Sequence, residues 1–214
     1  MRKILYSTQK KYLESFRLEV DPHIKEMEEY AATHKVPILD WDAAEFLEQL
    51  ISMHRPTRVL EIGMAIGYST IRIAKHLRKK GSIDTIELSK DNIRLAKENF
   101  AKSSVADKIN LLEGNALDIM PGLKDKYDFI FLDADKEDYE KLFYYSLMLL
   151  KKKGIIFIDN LLWNGYAASR NVPPKYKNSA KNIKDFNNLF MSQKALKTTI
   201  LPIGDGIGLG VKTD

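Results

Sequence analysis

Between residues 58 and 159 the chain alternates short apolar runs with amphipathic stretches, and this alternation limits the possible folds more than any other feature. The apolar runs are RVLEIG (58–63), SIDTIEL (82–88), INLLEG (109–114), YDFIFLD (127–133) and GIIFID (154–159). Between them the pattern reads as helices from about Tyr68 to Lys80, from about Asp91 to Lys102 and over 136–149, with a short helical piece after 114. Strands joined through helices cross over a sheet, so they run parallel and the helices cover both faces. A long polar loop, 164–181, and a helix around 182–194 come next, and near the end TTILPIG and GIGLGV meet at Gly204-Asp205-Gly206, a hairpin signal. The expected fold class is therefore α/β: a mostly parallel seven-stranded sheet finished by a C-terminal antiparallel hairpin.

Ahead of the sheet, residues 1–55 read as additional helices. Asp21 and Pro22 form a start signal, and Trp41, Ala44, Phe46, Leu47, Leu50 and Ile51 recur at helical spacing after Pro37. At 214 residues and 44% hydrophobic composition the chain suits one core, so a single domain over 1–214 is expected, with helices at 1–55 and the sheet at 56–214. No apolar stretch approaches a membrane span, and MRKILYSTQKKY is too polar for a secretory leader. Cysteine is absent, which rules out disulfides and thiolate metal sites and makes the cytoplasm the expected location. The formal charge of +5 is unevenly spread. Three stretches are basic and acid-free: Arg2, Lys3, Lys10 and Lys11; Arg72, Lys75, Arg78, Lys79 and Lys80; and Arg170, Lys175, Lys177, Lys181 and Lys184. Such stretches suit a polyanionic partner.

The chemistry gathers at the ends of the strands. The segment IFLDADKEDY (130–139) leaves an apolar run for five charged residues, and the run IIFIDN (155–160) stops in the same way at Asp159 and Asn160. Asp133, Asp159 and Asn160 would supply three hard oxygen donors from adjacent strand tips, a set suited to Mg²⁺, with Mn²⁺ as a possible substitute. His23, His34, His54 and His76 lie elsewhere, which argues against zinc. The loop VLEIGMAIGYS has G-x-x-x-G spacing rather than the G-x-G-x-x-G of a nicotinamide dinucleotide site. Glu87, ending the second strand, stands where it would accept both hydroxyls of a ribose. A nucleoside with a small anionic tail fits these features.

In this order E-I-G-x-x-x-G-Y-S, Glu87, L-D-A-D-K-x-x-Y, I-D-N and P-x-G-D-G resemble the metal-dependent, S-adenosylmethionine-using O-methyltransferases, a family that includes catechol and caffeoyl-CoA O-methyltransferases. The resemblance implies a Rossmann-like methyltransferase fold and, commonly, a homodimer. It implies that Glu61, Gly63, Tyr68 and Ser69 hold the methionine end of the cofactor and that Glu87 holds the ribose. Asn115 and Ala116 would border the adenine, with Asn115 where the family more often has Asp. Leu39 would either close over the cofactor or pack in the core. Asp133, Asp159 and Asn160 would hold the metal, with Asp133 also beside the cofactor. Lys136 would act as general base or stabilise the oxyanion. Asp135 departs from the aromatic residue of the animal catechol enzymes.

The segments VPIL, EIGMAIGYS and ILPIGDG resemble more narrowly the bacterial tRNA 5-hydroxyuridine methyltransferases. The expected substrate is then 5-hydroxyuridine in the anticodon loop of tRNA, converted at the wobble position to 5-methoxyuridine. Arg170, Lys175 and Lys177 would meet phosphates, and Trp163 or Tyr166 would stack on the splayed base. Trp163 as a core residue, a small catechol as substrate, acyl-CoA phosphates on the same lysines and a non-catalytic RNA-binding protein are the alternatives. Intact Asp133, Lys136, Asp159 and Asn160 count against the last.

Overall fold

The computed structural model describes residues 6–18 and 21–213. Arg2 and Lys3 of the first basic stretch lie outside these. The chain begins with helices α1 (Ser7–Glu14), α2 (Pro22–His34) and α3 (Trp41–His54). Asp21 caps α2 as expected, its side chain accepting from the His23 and Ile24 amides. Then follow β1 (Arg58–Ile62), α4 (Tyr68–His76), β2 (Ser82–Glu87), α5 (Lys90–Lys102), β3 (Ile109–Glu113), α6 (Ala116–Ile119) and β4 (Tyr127–Leu132). The last elements are α7 (Tyr139–Leu149), β5 (Leu150–Ile158), α8 (Lys177–Met191), β6 (Leu196–Leu201) and β7 (Ile207–Lys212).

The seven strands form one sheet in the order β3-β2-β1-β4-β5-β7-β6. β1 to β5 pair in parallel, and β7 lies antiparallel between β5 and β6. The α/β expectation and its closing hairpin are both met. Both faces of the sheet are covered, which is why the strands read as continuous apolar runs rather than alternating ones. Val59, Phe129, Phe131 and Phe157 pack toward α2, α3 and α4, whereas Leu60, Ile62, Ile130, Leu132, Ile156 and Ile158 pack toward α7 and α8.

Four boundaries depart from the expected ones. α4 stops at His76 rather than Lys80, because Leu77 turns extended and residues 78–81 close a turn. α7 starts at Tyr139 rather than 136, since residues 135–138 form a turn closed by the Asp138 amide on the Asp135 carbonyl. β5 starts at Leu150, adding a pairing with Tyr127 across an irregularity in the register. α8 starts at Lys177, five residues before the expected 182, so it takes in the last five residues of what reads as loop 164–181. Among the described residues no helix is long and apolar enough to cross a membrane.

Candidate active site

Strand order reverses at β1, which leads to β2 on one side and is flanked by β4 on the other; open α/β sheets bind ligands at such a point. Ladder register does the positioning. Ile62 pairs with Leu132 and Leu132 with Ile158, so the next residues, Gly63, Asp133 and Asp159, emerge side by side. The Asp133 amide donates to the Ile62 carbonyl at 2.9 Å and the Asp159 amide to that of Leu132 at 3.1 Å, extending the ladder to the tips. Gly63 is required here: at φ +85° an added Cβ would lie 1.8 Å from the Asp133 carbonyl oxygen.

A cleft of about 860 Å³ opens over these tips. At one end Glu87 ties the second strand to the glycine loop. Its carboxylate accepts from the Ala65 amide at 2.9 Å and from the Leu88 and Ser89 amides at 3.0 and 2.8 Å. Asn115 caps α6 by accepting from the Leu117 amide at 2.9 Å, and Asn115 and Ala116 line the cleft beside Glu87. At the other end stand Asp133, Lys136, Asp159, Asn160, Trp163 and Asp205.

Glu61 and Tyr68, and with them Leu39 and Ser69, lie behind the lining rather than on it. Glu61 is fully buried and accepts from the hydroxyls of Ser69, Thr70 and Thr85. Since residues 61 and 69–70 flank the glycine loop, this carboxylate clasps the loop at both ends. Burial pushes its pKa up to about 7 against the pull of the three hydroxyls. The Tyr68 hydroxyl donates to Glu28 at 2.6 Å and accepts from Arg72, anchoring α4 to α2. Leu39 is 4% exposed and packs in the core.

At the Asp133 end, Lys136 Nζ donates to Asn160 Oδ1 at 2.5 Å, to the Ala134 carbonyl at 2.9 Å and to Asp133 Oδ1 at 3.3 Å, and meets the Tyr139 hydroxyl at 2.9 Å. Tyr139 is fully buried and donates to the Asp159 carbonyl at 3.0 Å, so its role is to position. Asn160 adopts a left-handed backbone at φ +63°, which the short amide side chain tolerates. Burial, with Asp133 next to it, holds the Asp159 carboxyl well above the usual range. Burial also raises Asp205 to about 6, with Asp40 and Asp133 adding to the effect.

The residues present suit a hard divalent cation. Two carboxylates and an amide oxygen converge, an ammonium already gathers two of them, and burial pushes the Asp159 carboxyl upward. Among the described residues no three His, Cys, Asp or Glu side chains form a metal-sized group; the third oxygen beside Asp133 and Asp159 is an amide, that of Asn160.

Asp205 is a cleft residue not anticipated from the sequence beyond its turn. Its carboxylate accepts from the Asn164 amide at 2.5 Å, and the Leu161 and Leu162 amides donate to the Gly206 and Asp205 carbonyls. The hairpin turn thus buttresses the segment that follows Asn160. The beginning of that signal was visible in the Asp-Gly pair.

Beside this end lies a groove of about 660 Å³ lined by Tyr166, Arg170, Lys177, Lys181 and Lys184, with no acid among its described lining. It neighbours the cleft along the chain: Asn164 and Ser179 line the cleft, Tyr166 and Ala180 the groove. Tyr166 stacks on Tyr176 at 5.3 Å, and Lys175 lies over the Tyr176 ring at 4.5 Å, directed to that ring rather than the groove.

Fold and cleft together are those of an S-adenosylmethionine-dependent methyltransferase. The chain matches the O-methyltransferase family over residues 14–213 and belongs to it. It is 33% identical over 196 residues to caffeoyl-CoA O-methyltransferase 1 of Eucalyptus globulus, covering 87% of this chain and 80% of that protein. Caffeoyl-CoA O-methyltransferase 1 of Arabidopsis thaliana gives 33% over 196 residues, 86% of this chain and 75% of that one. Among solved structures, a Staphylococcus aureus protein provisionally assigned as a caffeoyl-CoA O-methyltransferase superposes with a TM-score of 0.90 at 32% identity, over 96% of this chain and 100% of that one. An O-methyltransferase from Bacillus cereus, solved with S-adenosylhomocysteine, matches with a TM-score of 0.84 at 25% identity, over 97% and 98%. The chain is thus an S-adenosylmethionine-dependent O-methyltransferase of the caffeoyl-CoA type.

Proposed function

We propose that this enzyme methylates one of two adjacent oxygens on an unsaturated ring, with a divalent cation held by Asp133, Asp159 and Asn160. The observation that carries the reading is the convergence of those three donors with Lys136 on the same cleft as Glu87 and the glycine loop. Bound there, Mg²⁺ or Mn²⁺ would acidify and orient a hydroxyl of a chelating pair. The remaining work falls to the chain. Glu87 takes the ribose hydroxyls and Asn115 with Ala116 borders the adenine, so the donor's methyl group points to the Asp133 end. Lys136 Nζ receives the hydroxyl proton or balances the charge that develops on oxygen. Trp163, Pro37 and Ile38 line the cleft and exclude water around the reacting atoms.

A small catechol, free or carried as a coenzyme A ester, is the substrate that the named relatives favour. A second reading, 5-hydroxyuridine in the anticodon loop of tRNA, rests on the groove of Arg170, Lys177, Lys181 and Lys184. In that base the 5-hydroxyl sits beside the 4-carbonyl and forms a catechol-like pair. The basic groove would take the backbone phosphates and Tyr166 a neighbouring base. Both substrates are tested side by side: tRNA lacking 5-methoxyuridine, and caffeoyl-CoA with a free catechol, each with S-adenosylmethionine and Mg²⁺. Mass spectrometry of nucleosides and of small-molecule products then reads the outcome. Methylated catechol with unchanged tRNA establishes the first reading, and 5-methoxyuridine the second. Transfer to neither sinks both.

A further inference from the structure

The ammonium of Lys136 sits where the cation would have to act. It touches two of the three candidate ligands, Asn160 and Asp133, and its other two partners, the Ala134 carbonyl and the Tyr139 hydroxyl, complete a cage of oxygens. The rings of Tyr139 and Trp163 close the cage at 4.8 and 5.5 Å from Nζ. The side chain is only 10% exposed. An ammonium has three N–H donors and here faces four acceptors, so this is a satisfied cation, not a side chain in transit.

A divalent cation taking the Asp133 and Asn160 oxygens meets a fixed positive charge a few ångströms away in a poorly solvated pocket, where like charges repel strongly. The ion and the ammonium compete for the same lone pairs on those oxygens. A lysine that must later serve the substrate's hydroxyl also cannot do so while its N–H groups are spent on these four acceptors.

We propose that Lys136 is a displaceable occupant of the cation site. In the metal-free protein its ammonium holds Asp133 and Asn160 together; loading the cation ejects it, so the lysine becomes free for the substrate only when the metal is in place. The inference rests on the metal reading above and adds a competition between side chain and ion. Tyr139 takes part as a positioning residue, bridging the ammonium and the Asp159 carbonyl.

Competition is read directly from cation binding, without turnover. The purified protein is titrated with Mn²⁺ in the absence of S-adenosylmethionine, with free Mn²⁺ followed by electron paramagnetic resonance. Lys136→Met removes the competitor and is expected to bind Mn²⁺ at least tenfold more tightly than the parent. Lys136→Gln, should the first variant fold poorly by circular dichroism, is expected to shift in the same direction. Asp159→Ala in the parent should lose the site. A second readout uses Mg²⁺ and the fluorescence of Trp163 in a Trp41→Phe background. Emission should change on loading in the parent, as the ammonium leaves the ring, and stay nearly constant in Lys136→Met. Equal or weaker Mn²⁺ binding in the lysine variants overturns the competition while leaving the metal reading intact. No binding in parent or variants overturns the metal reading itself, and the competition with it.

Discussion

Glu61→Gln tests how the glycine loop is held. The carboxylate is fully buried and its pKa is raised from 4.5 to about 7, by burial first. A carboxyl with a raised folded-state pKa keeps its proton after the unfolded chain has lost it. Its favourable contribution is therefore complete below pH 4.5 and is lost as pH rises through 7. Two and a half pKa units correspond to about 3 kcal/mol, a large share of a typical domain's stability. The amide in Glu61→Gln cannot ionise and escapes this loss, but it places an NH₂ among three hydroxyl donors and cannot accept from all of Ser69, Thr70 and Thr85. At pH 5 the variant should be less stable than the parent, and the gap should narrow by about 2.5 kcal/mol by pH 8. The assay is urea denaturation of both proteins across pH 4.5–8 in EDTA. Parallel stability curves would refute the reasoning, because they would mean that Glu61 titrates alike in folded and unfolded chains.

Other consequences are equally direct. Gly63→Ala puts a Cβ 1.8 Å from a backbone oxygen at φ +85°; a cost of about 3 kcal/mol or more is expected, read as a collapsed melting temperature and lost S-adenosylhomocysteine binding by calorimetry. Tyr127→Phe leaves Asp84 without the hydroxyl that donates to it at 2.7 Å in the sheet interior. It should cost about 1–2 kcal/mol in urea denaturation and leave kcat unchanged. Alanine at Lys177, Lys181 and Lys184 together should raise KM for a phosphate-bearing substrate at least tenfold and flatten its salt dependence, while KM for S-adenosylmethionine stays constant in steady-state assays.

How far the sequence could be read depended on how local each cause was. Strands β1 to β5 were visible because burial on both faces leaves continuous apolar runs. The tips Asp133 and Asp159-Asn160 were visible because such runs end abruptly in charge. Register then converts two sequence endings into one site, as the Leu132 and Ile158 pairing shows. The start of α8 was missed because its first turn, KNSA, is mostly exposed and polar, and only Ala180, Ile183, Phe186 and Phe190 carry the helical period. Tyr68 follows the glycine loop and reads as a cofactor residue. Its hydroxyl instead meets Glu28 and Arg72, and Glu28, forty residues away on α2, is a partner that no local pattern reveals. Lys175 reads as a phosphate-contacting lysine of the basic loop; in the fold its ammonium lies over the Tyr176 ring, a contact between sequence neighbours that the charge pattern does not reveal. Asp205 gained its place because the hairpin turn folds back on residues 161–164, a contact set by the order of β5, β7 and β6.

The central claim is that two adjacent oxygens on a cation held by Asp133, Asp159 and Asn160 are what this cleft methylates. The most direct test compares a substrate bearing the vicinal pair with the same molecule lacking one hydroxyl, caffeoyl-CoA against 4-coumaroyl-CoA, with uridine against 5-hydroxyuridine tRNA as the RNA counterpart. Each is supplied with radiolabelled S-adenosylmethionine in Mg²⁺ or EDTA. Transfer only to the vicinal member of a pair, abolished by EDTA and reduced at least a hundredfold in Asp159→Ala, is the expected result. Equal transfer to the single-hydroxyl compound, or transfer that persists in EDTA, would contradict it.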